Sequence, residues 1–234
     1  MKKILIILII IIFLYTYLFT SYFGHSSEGL RDFKNYSLGD CIWNEKFNNR
    51  FNRLLYMIYF NGSIADEYYR KTDKTGNYEI LKKIVDRRSK EIEKPPDNSL
   101  IIHLRIGDVI DWEYSGPIDD LLNGLDGDFG YLKSYDYFKE KILFLNENNI
   151  KKIIIVGGYH TEEDHSRSEE YTEKIKRYLE SNDFEVKLKI NEGTADEDFL
   201  YMCNSKYFLK TDGGYSRTIN RIVEMKGGII LENN

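Results

Sequence analysis

Short apolar runs alternating with amphipathic stretches constrain this chain most, because a strand that is apolar on both faces has to be covered on both. Leu100-Ile101-Ile102-His103-Leu104 and Ile153-Ile154-Ile155-Val156, the latter followed by Gly157-Gly158, read as two such buried strands. Between them, Leu132, Tyr135, Phe138, Ile142 and Leu145 form one helical stripe, and after the second strand Tyr171, Ile175 and Tyr178 form another over 168–181. Phe184-Glu185-Val186-Lys187-Leu188 alternates as a half-buried strand does. A short helix begins near Thr194, Tyr207-Phe208-Leu209 is a strand, Tyr215 to Lys226 is a helix, and Gly228 to Leu231 is a last strand. Each parallel crossover needs a connecting helix, so this order predicts an α/β fold: a Rossmann-like parallel sheet over 97–234 with helices on both faces.

The part before Pro95-Pro96 follows another pattern. Phe47, Phe51, Leu54, Leu55 and Ile58 recur at helical spacing from Asn44 until Asn61-Gly62. A second helix follows Asn77, with Ile80, Leu81, Ile84 and Val85 as its stripe. Lys82, Lys83, Arg87 and Arg88, interspersed with Glu79 and Asp86, make its solvated face, and Asn48, Asn49 and Arg50 fit a polar outer face of the first. Residues 44–96 therefore read as a small, mainly helical N-terminal region, with 24–43 as a stem.

Ile4 to Phe23 is a run of 20 residues without a charge, seven of them isoleucine, preceded by Lys2 and Lys3. Such a run is long enough to span a bilayer as a helix, and the positive flank favours a cytoplasmic N-terminus. The expectation is a signal-anchor over 1–23 and a single-pass type II protein facing the ER or Golgi lumen, or held in the inner membrane if bacterial. The competing reading is a cleaved signal peptide, whose apolar core is shorter, about 7 to 15 residues. Two sequons, Asn35-Tyr36-Ser37 and Asn61-Gly62-Ser63, would then face the lumen. Cys41 and Cys203 permit one bridge and exclude a disulfide scaffold. A net charge of −5 and a mean hydropathy of −0.48 exclude a bulk-basic nucleic-acid binder and a polytopic membrane protein.

Ligands of open parallel sheets bind at the carboxyl ends of the strands, which singles out two segments. His103-Leu104-Arg105-Ile106-Gly107-Asp108 places a planar guanidinium fork, an imidazole and a glycine at one strand end, and Asp108 can fix Arg105 by a bidentate pair. A strand end with a structural salt bridge is the plainer account. Asp212-Gly213-Gly214-Tyr215-Ser216-Arg217 joins a strand to a helix start, where free amides and the Ser216 hydroxyl can hold an anion. An ordinary Gly-Gly turn capped by serine is the plainer account there.

Taken together, the two segments resemble the fucosyltransferase-like glycosyltransferases that use GDP-fucose. His103-x-Arg105-x-Gly107-Asp108 is similar to that family's H-x-R-x-G-D element. Asp196-Glu197-Asp198-Phe199-Leu200-Tyr201-Met202-Cys203, then Lys206-Tyr207-Phe208-Leu209 and Gly213-Gly214-Tyr215-Ser216, are similar to its later segment. The resemblance spans about 97–232 and implies a GT-B-like C-terminal half that binds a nucleotide sugar, with no cofactor and no metal. It implies that Arg105 binds the β-phosphate, that His103 and Asp196 contact guanine or ribose, and that Ser216 with the amides around Gly213, Gly214, Tyr215 and Arg217 holds phosphate. Glu113 is the first candidate for the base, with Asp108 and Asp111 competing. The chain departs from the family where Ile106 replaces a second arginine and where Gly213-Gly214 replace serines, and its first half is abbreviated, with some 60 residues left for an acceptor domain against the usual ~100–150.

The expected activity is inverting, metal-independent transfer of fucose from GDP-fucose to a glycan or protein acceptor. Two other readings stay open. One is a metal-dependent GT-A-type enzyme built on Asp126-Gly127-Asp128, although a solvated turn explains that segment too. The other is a non-catalytic nucleotide-sugar or glycan-binding module. His160 and His165 sit among charges without a third ligand nearby and read as surface residues.

Overall fold

A computed structural model describes residues 7–9, 11, 64, 67, 68, 77–90, 92–125, 130–159 and 164–231. Its elements run α1 (Tyr78–Arg88), β1 (Ser99–His103), a five-residue π-turn (Val109–Glu113), α2 (Ile118–Leu122), α3 (Tyr135–Glu147), β2 (Lys152–Gly157), α4 (Ser166–Glu180), β3 (Glu185–Ile190), α5 (Ala195–Cys203), β4 (Tyr207–Lys210), α6 (Gly214–Met225) and β5 (Ile229–Ile230). The last strand is shorter than the apolar run 228–231 implied, and the π-turn and α2 carry no period long enough to be read from sequence.

All strand pairings are parallel, in the order β3-β2-β1-β4-β5. The alternation of side chains along each strand divides the core in two. Leu100 and Ile102 of β1, Ile153 and Ile155 of β2, and Leu209 of β4 join Phe138 of α3 and Tyr171 and Ile175 of α4 on one face. Ile101, Ile154, Val156 and Phe208 meet Leu81 and Ile84 of α1, Phe199 of α5 and Ile219 and Ile222 of α6 on the other. Burying each such side chain contributes about 1.5–3 kcal/mol, so removing either layer would leave half of each strand uncovered. β3 lies at the sheet edge and is only partly buried, as its alternating Lys187 and Lys189 require.

Helix starts are set by local chemistry. Asn77 caps α1 through its side-chain oxygen, which accepts from Ile80 N at 3.2 Å. Ile64 and Tyr68 pack in the same core layer as α1, and Tyr68 Oη accepts from Asn77 N at 2.8 Å, so residues preceding Pro95-Pro96 help cover the sheet.

Several expectations fall outside the described residues: the helix over 44–61, the stem 24–43, both sequons, Cys41, Asp126, Asp128 and His160. Of the apolar run 4–23, only Ile7, Leu8, Ile9 and Ile11 are described, as helical and exposed. Among the described residues no helix is long and apolar enough to cross a membrane. Cys203 is buried and unbridged, and burial pushes its thiol well above the ordinary range.

Candidate functional site

The chain builds outward from β1 to β2 and β3, then returns to place β4 and β5 on the other side of β1. Connections leaving β1 and β4 therefore diverge, and a crevice opens between them at the carboxyl ends of the strands. An open cavity of about 340 Å³ lies there, within the size range of small-molecule sites. Both segments singled out by sequence line it, although more than a hundred residues separate them.

Thr211 joins the two sides of the crevice. Its hydroxyl donates to His103 O at 2.8 Å and accepts from Arg105 N at 3.0 Å, which holds the end of β1 against the end of β4. His103 points toward α6, where its Nδ1 lies 2.9 Å from Ser216 Oγ and its ring centroid 5.3 Å from that of Tyr215. Tyr215 is itself fixed by its hydroxyl donating to Ala195 O at 2.8 Å. Beyond β1, Arg105 Nη2 donates to both Asp108 oxygens, at 2.7 and 2.9 Å. Asp108 Oδ1 also accepts from Val109 N at 3.1 Å, so the arginine is anchored to the start of the π-turn. Glu113, the last residue of that turn, is exposed and lines the cavity.

On the β4 side, Asp212 and Gly213 both have positive φ, +116° and +92°. A Cβ at Gly213 would meet the Tyr131 ring at 3.8 Å, an ordinary contact, so backbone conformation rather than space calls for glycine there. Gly213 is the N-cap of α6 and has no side chain to cap it, its amide donates to Asp212 Oδ1 at 3.2 Å, and no acidic residue lies in the first turn. The positive end of α6 therefore faces the cavity without a side-chain anion in its own first turn.

Glycine serves a different purpose at the end of β2. A Cβ on Gly157 would lie 2.9 Å from Leu104 O, so close backbone approach between the β1 and β2 ends excludes any side chain. Asn191, after β3, accepts from Tyr159 N at 2.8 Å through its side chain and donates from its own amide to Gly157 O at 3.1 Å, closing the far wall. Burial, with the negative charges of Glu169 and Asp111, raises the Tyr159 phenol above its ordinary range.

The placement of four candidates differs from the sequence reading. Asp196 Oδ2 accepts from Ile64 N at 2.8 Å and stands 3.8 Å from Arg88 Nη1, on the side of α5 away from the cavity lining. Asp198, one helical face over, lines the cavity instead and is hydrogen-bonded by Lys189 Nζ. Burial raises the Asp198 carboxyl despite that lysine. Ser216 is fully buried, and its hydroxyl orients His103 rather than reaching the cavity. Arg217 is exposed and is not part of the lining. Asp111 is not part of the lining: its buried carboxylate accepts from Ser168 N and Oγ at 2.9 and 2.8 Å and lies 2.9 Å from His165 Nδ1. It holds the start of α4.

Sequence reasoning missed Tyr131, Tyr159, Asn191, Asp198 and Thr211. For Tyr159, Asn191 and Thr211 a usable signal existed, since each follows a strand end at the same edge of the sheet. Among the described residues no group of three His, Cys, Asp or Glu side chains is arranged to hold a metal ion.

Fold and crevice together define a doubly wound α/β protein with its cavity at the point where the strand order reverses. No family model matches the chain, and no curated protein does. Among solved structures, it is similar to POFUT1 in complex with GDP-fucose at 11% identity and a TM-score of 0.36, covering 76% of this chain and 55% of that one. A second crystal form of that complex gives 10% identity, a TM-score of 0.35, and coverage of 61% and 44%. The apo form of POFUT1 gives 12% identity, a TM-score of 0.35, and coverage of 65% and 49%. The chain spans about half the length of these solved chains.

Proposed function

We propose that this chain is a glycosyltransferase that binds a nucleoside diphosphate sugar, GDP-fucose first, between β1 and β4 and transfers the sugar to an acceptor hydroxyl with inversion. The observation that carries this reading is the convergence of Arg105 and the glycine-capped start of α6, with no acid in its first turn, on one cavity at the topological switch point. Departure of a diphosphate develops negative charge on its oxygens, and a preorganised guanidinium and helix-start amides stabilise such charge without reorganising. Glu113, exposed at the cavity and free of any role in the core, is the group we assign to accept the proton of the acceptor hydroxyl as it attacks the anomeric carbon. His103, fixed by Ser216, and Asp198 on the opposite wall offer polar groups to the nucleoside. The run Ile4–Phe23 is proposed to tether the domain to a membrane, with the acceptor a glycan or protein on its far side.

Thermal-shift measurement on the full chain tests this reading, with GDP-fucose, GDP-mannose, GDP, UDP-sugars and CMP, each with EDTA or Mn²⁺. A ligand that binds the native state raises the melting temperature, and GDP compounds should do so selectively and in EDTA. The reading fails if GDP produces no shift. Turnover abolished by EDTA and restored by Mn²⁺ would instead favour a metal site at Asp126 and Asp128, and GDP-sugar binding without transfer to any acceptor would favour a binding module.

A further inference from the structure

Arg105 lines the cavity and pairs with Asp108, and two further cations, Lys189 and Lys133, pair with the lining carboxylates Asp198 and Asp212. Glu113 adds a fourth carboxylate to the lining. Carboxylates matched to cations in this way compete with a diphosphate for them, so a pair that opens readily adds a contact that the closed pair withholds.

The three pairs differ in how readily they open. Arg105 donates twice to Asp108, which is also tied to the π-turn. Lys189 and Asp198 are hydrogen-bonded, and the side chains are only 17% and 10% exposed, so neither can turn to water. Lys133 Nζ, by contrast, lies 3.7 Å from Asp212 Oδ2, beyond hydrogen-bond length. The Asp212 side chain is 47% exposed and can turn toward solvent once its bond to Gly213 N opens, whereas the Lys133 side chain is 12% exposed and held in place by Gly130 O at 3.4 Å and the Tyr137 ring at 5.3 Å. Asp212 also carries the strained φ of +116°, and its Oδ1 accepts from Gly213 N at 3.2 Å, the amide at the start of α6. Its carboxylate thus satisfies one helix-start amide and faces one partly buried ammonium, the two kinds of partner a phosphate would take.

We propose that Asp212 is an internal stand-in for the ligand's phosphate and that Lys133 is a second phosphate-binding cation, released to the ligand when Asp212 is displaced. The inference rests on the nucleotide-sugar reading of the cavity. It requires the two partners of one ion pair to act in opposite directions on binding, which a purely structural pair does not.

Isothermal titration of the full chain with GDP, inorganic pyrophosphate and guanosine tests it in the wild type, Asp212→Asn and Lys133→Gln. Asparagine tolerates positive φ, so the first variant keeps the turn. Lys133→Gln should weaken GDP and pyrophosphate binding by about tenfold, the loss of one charged contact. Asp212→Asn should tighten both by roughly threefold to tenfold, as a competing carboxylate is removed. Guanosine, which lacks phosphate, should be unaffected by either. The proposal is overturned if Asp212→Asn weakens or does not change anion binding, whatever happens to Lys133→Gln. Absence of GDP binding in the wild type would sink the nucleotide-sugar reading instead, while the pyrophosphate arm would still decide the exchange by the sign of the Asp212→Asn effect.

Discussion

Helices α5 and α6 begin at the same cavity and solve the same problem in opposite ways. The Thr194 side chain accepts from Glu197 N at 3.2 Å, and Glu197 Oε2 accepts from Thr194 N at 2.7 Å, so α5 closes its own N-terminus. Asp196, Glu197 and Asp198 fill its first turn with negative charge. The cap of α6 is a glycine, and its first turn holds no acid. Aligned peptide dipoles place about half a positive charge at each start, so α5 spends that potential on its own first turn, whereas α6 shares it with Asp212, outside its first turn, and with whatever enters the cavity. The cavity thus has carboxylates at α5 and Glu113 on one side, and on the other a corner where Arg105 and the start of α6 meet, each already facing a carboxylate, Asp108 or Asp212.

The largest effect should come from the corner itself. Arg105→Ala is expected to abolish the GDP-induced rise in melting temperature and to lower transfer by roughly 10²–10³-fold, the usual loss when one preorganised donor to developing charge is removed. If GDP stabilises that variant as it does the wild type, the leaving group is not held there. Next, Gly214→Glu gives α6 the acidic first turn of α5. Gly214 has no positive φ, so a side chain is conformationally acceptable. GDP affinity should fall by more than about tenfold while stability stays level or rises by roughly 0.3–1 kcal/mol. A fall in both would mean that the helix start is structural, and the contrast between the two helices would lose its functional meaning.

Much of this arrangement was legible before any coordinates, for identifiable reasons. Strand and helix periods located α1, α3, α4, α5 and α6 and the strands between them, because each buries a continuous stripe or run. The rule that ligands meet strand ends selected His103, Arg105, Gly213 and Gly214, all of which line the cavity. Contacts across the fold were not legible. Asp196 and Asp198 are two residues apart and point to different sides of α5, and only knowing that Ile64 and Arg88 lie against the first decides which one reaches the cavity. Ser216 looked like a phosphate ligand because local sequence cannot reveal that an imidazole 113 residues earlier claims its hydroxyl. Lys133, in a segment with no motif, gained significance only from Asp212 beside it.

Two smaller effects belong to α5. Thr194→Ala removes the cap that α6 lacks and should cost about 1 kcal/mol, a fall of roughly 2–4 °C in melting temperature for a domain of this size, without changing GDP affinity. A change in affinity would show that the two helix starts are coupled rather than divided between structure and ligand. The smallest effect is a pH dependence. The Thr194 amide, then its hydroxyl, hydrogen-bonds the Glu197 carboxylate and holds it below its ordinary value of 4.5. Between the lowered folded value and the ordinary unfolded one, the unfolded chain binds more protons, so this group's contribution is present above about pH 4.5 and is lost as pH falls through the folded value. Glu197→Gln keeps an acceptor oxygen but removes the titration. Melting curves of the wild type and Glu197→Gln should therefore differ most near pH 7 and draw together as pH falls well below 4.5, whereas a constant gap would mean that the cap acts through geometry alone and that charge does not distinguish α5 from α6.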